Sequence, residues 1–220
     1  MSHDTTPLAA FRLLAMDMDS TLITIECIDE IADFVGKKAE VAAVTAAAMR
    51  GEIDWPTSLR QRVAVLAGLD AKVLQTVYDE RLQLTPGAET LVTAAQSAGV
   101  YTLLVSGGFT FFTERLQARL KLDAAFSNTL EVVNGRLTGR VVGPLCDAQA
   151  KAQHVRDAAA RLGAARAQIM VIGDGANDLP MMREAGVSIA YKAKPAVQAE
   201  ATHAINQGGL DKVLQLLRAP

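Results

Sequence analysis

Residues 13–21 read Leu13-Leu14-Ala15-Met16-Asp17-Met18-Asp19-Ser20-Thr21, a run of four apolar residues that ends abruptly in two acids and two hydroxyls. A short run that is apolar at every position, without alternation, is the pattern of a strand covered on both faces of a parallel sheet. Largely apolar runs recur at Tyr101–Val105, Ile169–Ile172 and Val187–Ala190, and the first two of these stop at Ser106 and Gly173. Helical stretches lie between them. Phe112, Leu116 and Leu120 mark one apolar helix face, and Pro180 falls in a first turn after Asp178. Thr85-Pro86 reads as an N-cap with proline at the first helical position, and Gly99 follows the last residue of a helix over 87–98. Strands alternating with helices predict right-handed crossovers and an α/β fold with a doubly wound parallel sheet.

Two segments leave that pattern. From about 23 to 84 no convincing strand appears, only Ala, Val, Leu and charge at helical spacing. The expected division is an α/β core of residues 1–22 and 85–220 with a helical cap of residues 23–84 inserted between its first two strands. Within 126–142, Asn134-Gly135 separates two apolar runs, a strong signal for a small β-hairpin.

The 220 residues are half hydrophobic and 21% charged, with a formal net charge of −2. Such a chain has material for a packed core and no overall pull towards nucleic acid or an anionic membrane. An anionic ligand must be met by a local site. Cys27 and Cys146 lack metal-ligand spacing and read as two reduced thiols. The first residues show no secretory pattern, and no apolar run is long enough to span a bilayer, so a cytoplasmic location is the expectation.

In open α/β sheets ligands bind outside the carboxyl ends of the strands. Asp17 and Asp19 end the first strand, Ser106-Gly107-Gly108 the second, and Gly173-Asp174-Gly175-Ala176-Asn177-Asp178 the third. If the sheet forms, all three groups meet on one rim. In an extended segment Asp17 and Asp19 point to the same side. With Asp174 and Asp178 they make a dense negative cluster, and a hard oxygen-ligated cation such as Mg²⁺ relieves the repulsion. Ser106 and the glycine N–H groups after it suit a bound anion. Read from the residues alone, Lys151 in Asp147-Ala148-Gln149-Ala150-Lys151 is a solvated surface lysine, Glu26 a first-turn helix acid, Arg62 a surface charge and Met49 core filler. His3, His154 and His203 match no catalytic position.

In this order, DxDST at 17–21, SGG at 106–108, a single lysine and GDGxND at 173–178 resemble the haloacid dehalogenase superfamily of phosphotransferases. Stretches 17–36, 58–63, 105–112 and 171–195 are most similar to its members that hydrolyse O-phospho-L-serine. The resemblance spans roughly residues 12–217. It implies Asp17 as nucleophile, Asp19 as general acid and base, and Mg²⁺ held by Asp17, the Asp19 backbone carbonyl, Asp174 and, through water, Asp178. It implies that Ser106, Gly107 and Lys151 hold the phosphate, with Asn177 orienting it and Thr21 supporting the Asp17 loop. In the cap it assigns Glu26 to the serine ammonium, Arg62 to its carboxylate, and Met49 and Trp55 to enclosing the substrate. The implied reaction is the last step of serine biosynthesis, catalysed by a monomer or homodimer. Two other readings stay open: a related small-cap phosphatase or phosphotransferase acting on another phosphomonoester, and a non-enzymatic phospho-accepting receiver domain.

Overall fold

The computed structural model describes residues 7–49 and 52–217. Its centre is one seven-stranded sheet in the order β4-β3-β2-β1-β5-β6-β7, with β1 Leu13–Met16, β2 Tyr101–Phe109, β3 Ala124–Val133, β4 Arg136–Val142, β5 Ile169–Gly173, β6 Val187–Tyr191 and β7 His203–Ile205. All neighbours run parallel except β3 and β4. The doubly wound sheet expected from the apolar runs is therefore present, and β1 sits in its middle.

Leu13 and Ala15 face one apolar layer, and Leu14 and Met16 face the other. All four are fully buried, which is why the run carries no polar position. On the first side pack α7 (Ala148–Leu162) and the short α8 (Leu179–Met182). On the second pack α5 (Ala88–Ser97), α6 (Thr110–Leu120) and the helices between β1 and β2. Short α9 (Pro195–Gln198) and α10 (Lys212–Leu216) close the chain.

Four helices precede α5 in the segment between β1 and β2: α1 Cys27–Phe34, α2 Lys38–Met49, α3 Trp55–Ala64 and α4 Lys72–Glu80. The two ends of this four-helix stretch are clamped together. Ile23 bridges Leu84, Thr24 N–H donates to Gln83 O at 3.0 Å, and Thr85 N–H donates to Leu22 O at 2.9 Å. Its far side rests on the hairpin. The loop between α3 and α4 exchanges backbone bonds with Gly135 and Leu137, and Arg136 Nη1 donates to Gly68 O at 2.7 Å.

Three details depart from the sequence reading. The N-cap of α5 is Gly87 in the left-handed region (φ 79°), not Thr85, whose carbonyl instead accepts from Ala88 in a preceding turn. β2 runs on through Ser106-Gly107-Gly108 to Phe109. The expected hairpin is present as β3 and β4, and it joins the sheet because β3 pairs in parallel with β2. A short edge strand, β7, was not anticipated, and His203 lies on it, exposed.

Candidate active site

β1 and β5 end side by side, so their following residues share one rim, and Asp17 N–H donates to Ile172 O at 3.0 Å. One carboxylate oxygen each from Asp17, Asp174 and Asp178 falls within 4.8 Å of the others. Asp178 is folded back into this cluster by the turn it ends. Its Oδ2 accepts from the N–H groups of Asp174 and Gly175, both at 3.1 Å. A Cβ on Gly173 would collide with that carboxylate, which gives the first glycine of the loop a steric purpose.

Lys151 reaches the cluster from the first turn of α7, which Asp147 caps by accepting from Gln149 and Ala150 N–H groups at 3.0 and 2.8 Å. The surface lysine expected from the residues alone is overturned: its side chain is 1% exposed. Its Nζ lies 2.8 Å from Asp17 Oδ1 and 2.9 Å from Asp178 Oδ1. A lone ammonium buried this way costs several kcal/mol, so the pairing is what allows it. Burial lowers its pKa, but the two carboxylates outweigh burial and raise it above the ordinary lysine value.

The acids remain under-compensated. Burial first, then Asp178, pushes Asp17 well above the usual carboxylate range, with Lys151 opposing. Burial and Asp178 push Asp174 up to about 6, against a hydrogen bond from Thr21 Oγ1 to its Oδ1 at 3.0 Å. Asp17 Oδ1 is taken by Met18 N–H and Lys151, and both Asp178 oxygens are engaged. Among the described residues, Asp17 Oδ2 and Asp174 Oδ2 accept no hydrogen bond. Two free, hard carboxylate oxygens in a cluster short of positive charge fit a divalent cation of the Mg²⁺ type.

Asp19 also lines the site, but not through a continued strand. After β1 the chain turns: Asp19 is extended (φ −64°, ψ 135°) and Ser20 is left-handed (φ 56°). The Asp19 Oδ1 accepts from Cys27 N–H at 3.3 Å, at the start of α1. Burial, then the charge of Glu26, pushes its carboxyl up to about 7.

Ser106 is fully buried at the end of β2 and its Oγ accepts from Gly108 N–H at 2.8 Å. Gly108 has no room for a side chain, since a Cβ there would lie 2.9 Å from Asp19 Oδ2 and 2.7 Å from Met18 Cε. These strand ends form the floor of a cavity of about 720 Å³. Glu26, Trp55 and Arg62 line it from the inserted helices, and Asn177 lines it from the loop after β5. Glu26 accepts from Ser20 Oγ at 2.7 Å, and burial raises its pKa. Arg62 is half-buried, and burial lowers its pKa against the attraction of Asp29 and Glu26. Its Nε is buried without a hydrogen-bond partner. Trp55 overhangs Gly107, as a Cβ there would lie 3.3 Å from its ring.

The site thus gathers Asp17, Asp19, Thr21, Glu26, Trp55, Arg62, Ser106, Gly107, Lys151, Asp174, Asn177 and Asp178. Met49 ends α2, and its side chain lies outside the described residues, as does His3. His154 stacks on Phe126, with ring centroids 4.0 Å apart, and neither His154 nor His203 lines the cavity. Cys27 and Cys146 are buried free thiols. Asn128 and Asp29 carry no signal in the sequence: the first is a polar residue within a strand and the second one of two acids in the first turn of α1.

The family model for haloacid dehalogenase-like hydrolase matches residues 14–183. A phosphoserine phosphatase from Polaromonas sp. is 55% identical over 216 residues, covering 96% of this chain and 92% of the relative. A haloacid dehalogenase family hydrolase from Salmonella enterica superposes with a TM-score of 0.91 at 41% identity, over 98% of this chain and 73% of that one. A structure described as a phospho-aspartyl intermediate analogue of phosphoserine phosphatase gives a TM-score of 0.88 at 35% identity, over 94% of this chain and 99% of that one. No helix among the described residues is long and apolar enough to cross a membrane.

Proposed function

The chain belongs to the haloacid dehalogenase-like hydrolase family, and on that premise we propose that it hydrolyses O-phospho-L-serine to L-serine and phosphate. The observation that carries the reading is the approach of Asp17 and Lys151 beneath a cavity whose roof holds Glu26 and Arg62. The relatives' names support the substrate, and the four-helix insertion speaks against a receiver domain.

In this reading residues 23–84 act as a cap over the core. Asp17, Asp174 and the Asp19 backbone carbonyl would hold Mg²⁺, with Asp178 nearby. When bound, the cation neutralises charge on the phosphate and lets a carboxylate approach it. Asp17 attacks phosphorus; a bond from its oxygen to phosphorus forms as the bond to the serine oxygen breaks. Asp19, with its pKa pushed up to about 7, keeps a proton near neutral pH and gives it to the departing serine oxygen. The same carboxylate then takes a proton from water, whose oxygen attacks phosphorus and releases Asp17. Ser106, the Gly107 N–H and Lys151 hold the phosphate oxygens, with Asn177 alongside. Glu26 accepts from the serine ammonium, and Arg62 offers its planar fork to the carboxylate. Trp55 and Met49 enclose the ligand and exclude water. With free L-serine as the product, the proposed reaction is the last step of serine biosynthesis, carried out in the cytoplasm.

The test is a phosphate-release screen over phosphoserine, phosphothreonine, phosphoethanolamine and sugar phosphates, with and without Mg²⁺. Phosphoserine is expected to lead, and only with the metal. A sugar phosphate turned over faster than phosphoserine would reject the amino-acid assignment.

A further inference from the structure

β2 and β3 pair in register up to Val105 and Phe126, and then resume at Phe109 and Asn128. Three residues of β2, Ser106 to Gly108, therefore face one residue of β3, a bulge that breaks the backbone ladder. The carbonyls of Gly107 and Gly108 lose their strand partners at the point where the phosphate cradle begins. The side chain of Asn128 replaces them. Its Nδ2 donates to Gly107 O at 2.8 Å and to Gly108 O at 3.3 Å. Its Oδ1 accepts from Cys146 N–H at 2.8 Å, just before the Asp147 cap of the Lys151 helix. Asn128 is fully buried, and both its amide nitrogen and its oxygen are engaged by backbone of two different segments.

We propose that Asn128 is a positioning residue: its amide fixes Ser106-Gly107-Gly108 and the start of the Lys151 helix relative to each other, so that both phosphate-binding groups address one anion. This deepens the phosphomonoester reading above and rests on it. The two carbonyls need a donor and Cys146 N–H needs an acceptor, and a side-chain amide supplies both from one planar group. Among the described residues Asn128 makes no hydrogen bond to the cation cluster, which it reaches only through the Lys151 helix, so its loss should weaken phosphate binding more than metal binding.

Asn128→Asp gives a direct test, because the two groups share one shape. Protonated, the variant's carboxyl keeps a donor for Gly107 O and an acceptor for Cys146 N–H. Ionised, it has no donor and sets a negative charge against two carbonyls. Turnover of phosphoserine and binding of inorganic phosphate in Mg²⁺ would be measured relative to the parent protein from about pH 5.5 to about pH 8.5, with circular dichroism at each pH. The variant's relative activity and phosphate affinity should fall at least about tenfold as pH rises, while half-saturation by Mg²⁺ stays within about twofold. Asn128→Ala should be weak at every pH. A flat ratio across pH with parent-like phosphate binding overturns the proposal, as does global unfolding of Asn128→Asp at high pH in place of lost phosphate affinity. If the parent releases no phosphate from phosphoserine, yet Asn128→Asp still loses inorganic phosphate as pH rises, the substrate reading fails and the positioning role holds.

Discussion

Lys151 Nζ stands 2.8 Å from Asp17 Oδ1, with both side chains buried beneath the cavity. The ammonium also holds Asp178 at 2.9 Å, so one cation on α7 ties the ends of β1 and β5 together. A nucleophilic carboxylate needs such a partner. Lys151 lowers the Asp17 pKa against burial and two neighbouring acids, which still hold it above the usual carboxylate range.

Asp17→Asn keeps the shape of the side chain and removes its nucleophilic oxygen. Phosphate release from phosphoserine should drop by at least about 10⁴-fold, since neither the covalent step nor its hydrolysis remains. The melting temperature should stay within a few degrees of the parent, because the Met18 N–H and Lys151 contacts survive with the amide oxygen. A coupled phosphate assay beside a thermal melt separates these outcomes, and near-parent turnover would reject Asp17 as nucleophile.

Among the described residues Arg62 Nε is buried with no hydrogen-bond partner. In the proposed reading the substrate carboxylate supplies the acceptor. Arg62→Ala should cut kcat/KM for phosphoserine by about 30- to 150-fold, the worth of a charge-assisted hydrogen bond of about 2–3 kcal/mol. Phosphoethanolamine lacks the carboxylate and should lose little. Equal losses on the two substrates would remove Arg62 from carboxylate recognition.

Stability should depend on pH and on Mg²⁺ jointly. Asp174 is pushed up to about 6 and Asp17 is raised as well, so the fold holds protons that the unfolded chain gives up near pH 4. That contribution is complete below about pH 4 and is lost as pH rises through about 6. Divalent cation binds the ionised form and replaces the lost stabilisation. The rise in melting temperature on replacing chelator by Mg²⁺ should therefore be larger at about pH 8 than at about pH 5.5. A pH-independent rise would place the cation away from these acids.

Gly108 faces Met18 Cε at 2.7 Å and Asp19 Oδ2 at 2.9 Å from where a Cβ would sit. Gly108→Ala should displace the Asp19 carboxyl and cost about 1–3 kcal/mol of stability by overpacking. Activity should fall more than stability explains, by about tenfold or more, because a small misplacement of an acid–base group is costly. Denaturant unfolding and kcat on the same preparation would show it; unchanged kcat would mean that Met18 alone yields.

The sheet was legible because its physics is local. Leu13–Met16, Ile169–Ile172 and Val187–Ala190 are apolar at nearly every position since both faces of a central parallel strand are covered, and Asn134-Gly135 turns a hairpin wherever two apolar runs flank it. The motif order then places the acids and the cradle at strand ends. What the chain alone left open depended on partners distant in sequence. Thr21 and Asp174 are 153 residues apart, and the burial that makes Lys151 a structural cation comes from two acids on other elements. Local residues predicted a solvated Lys151 and a Thr85 cap, and both failed where packing against other segments decided the outcome. Asn128 shows the same limit: an asparagine in a strand carries no signal of its own, and only the β2 bulge, formed when the strands pair, leaves the two carbonyls that give its amide a task.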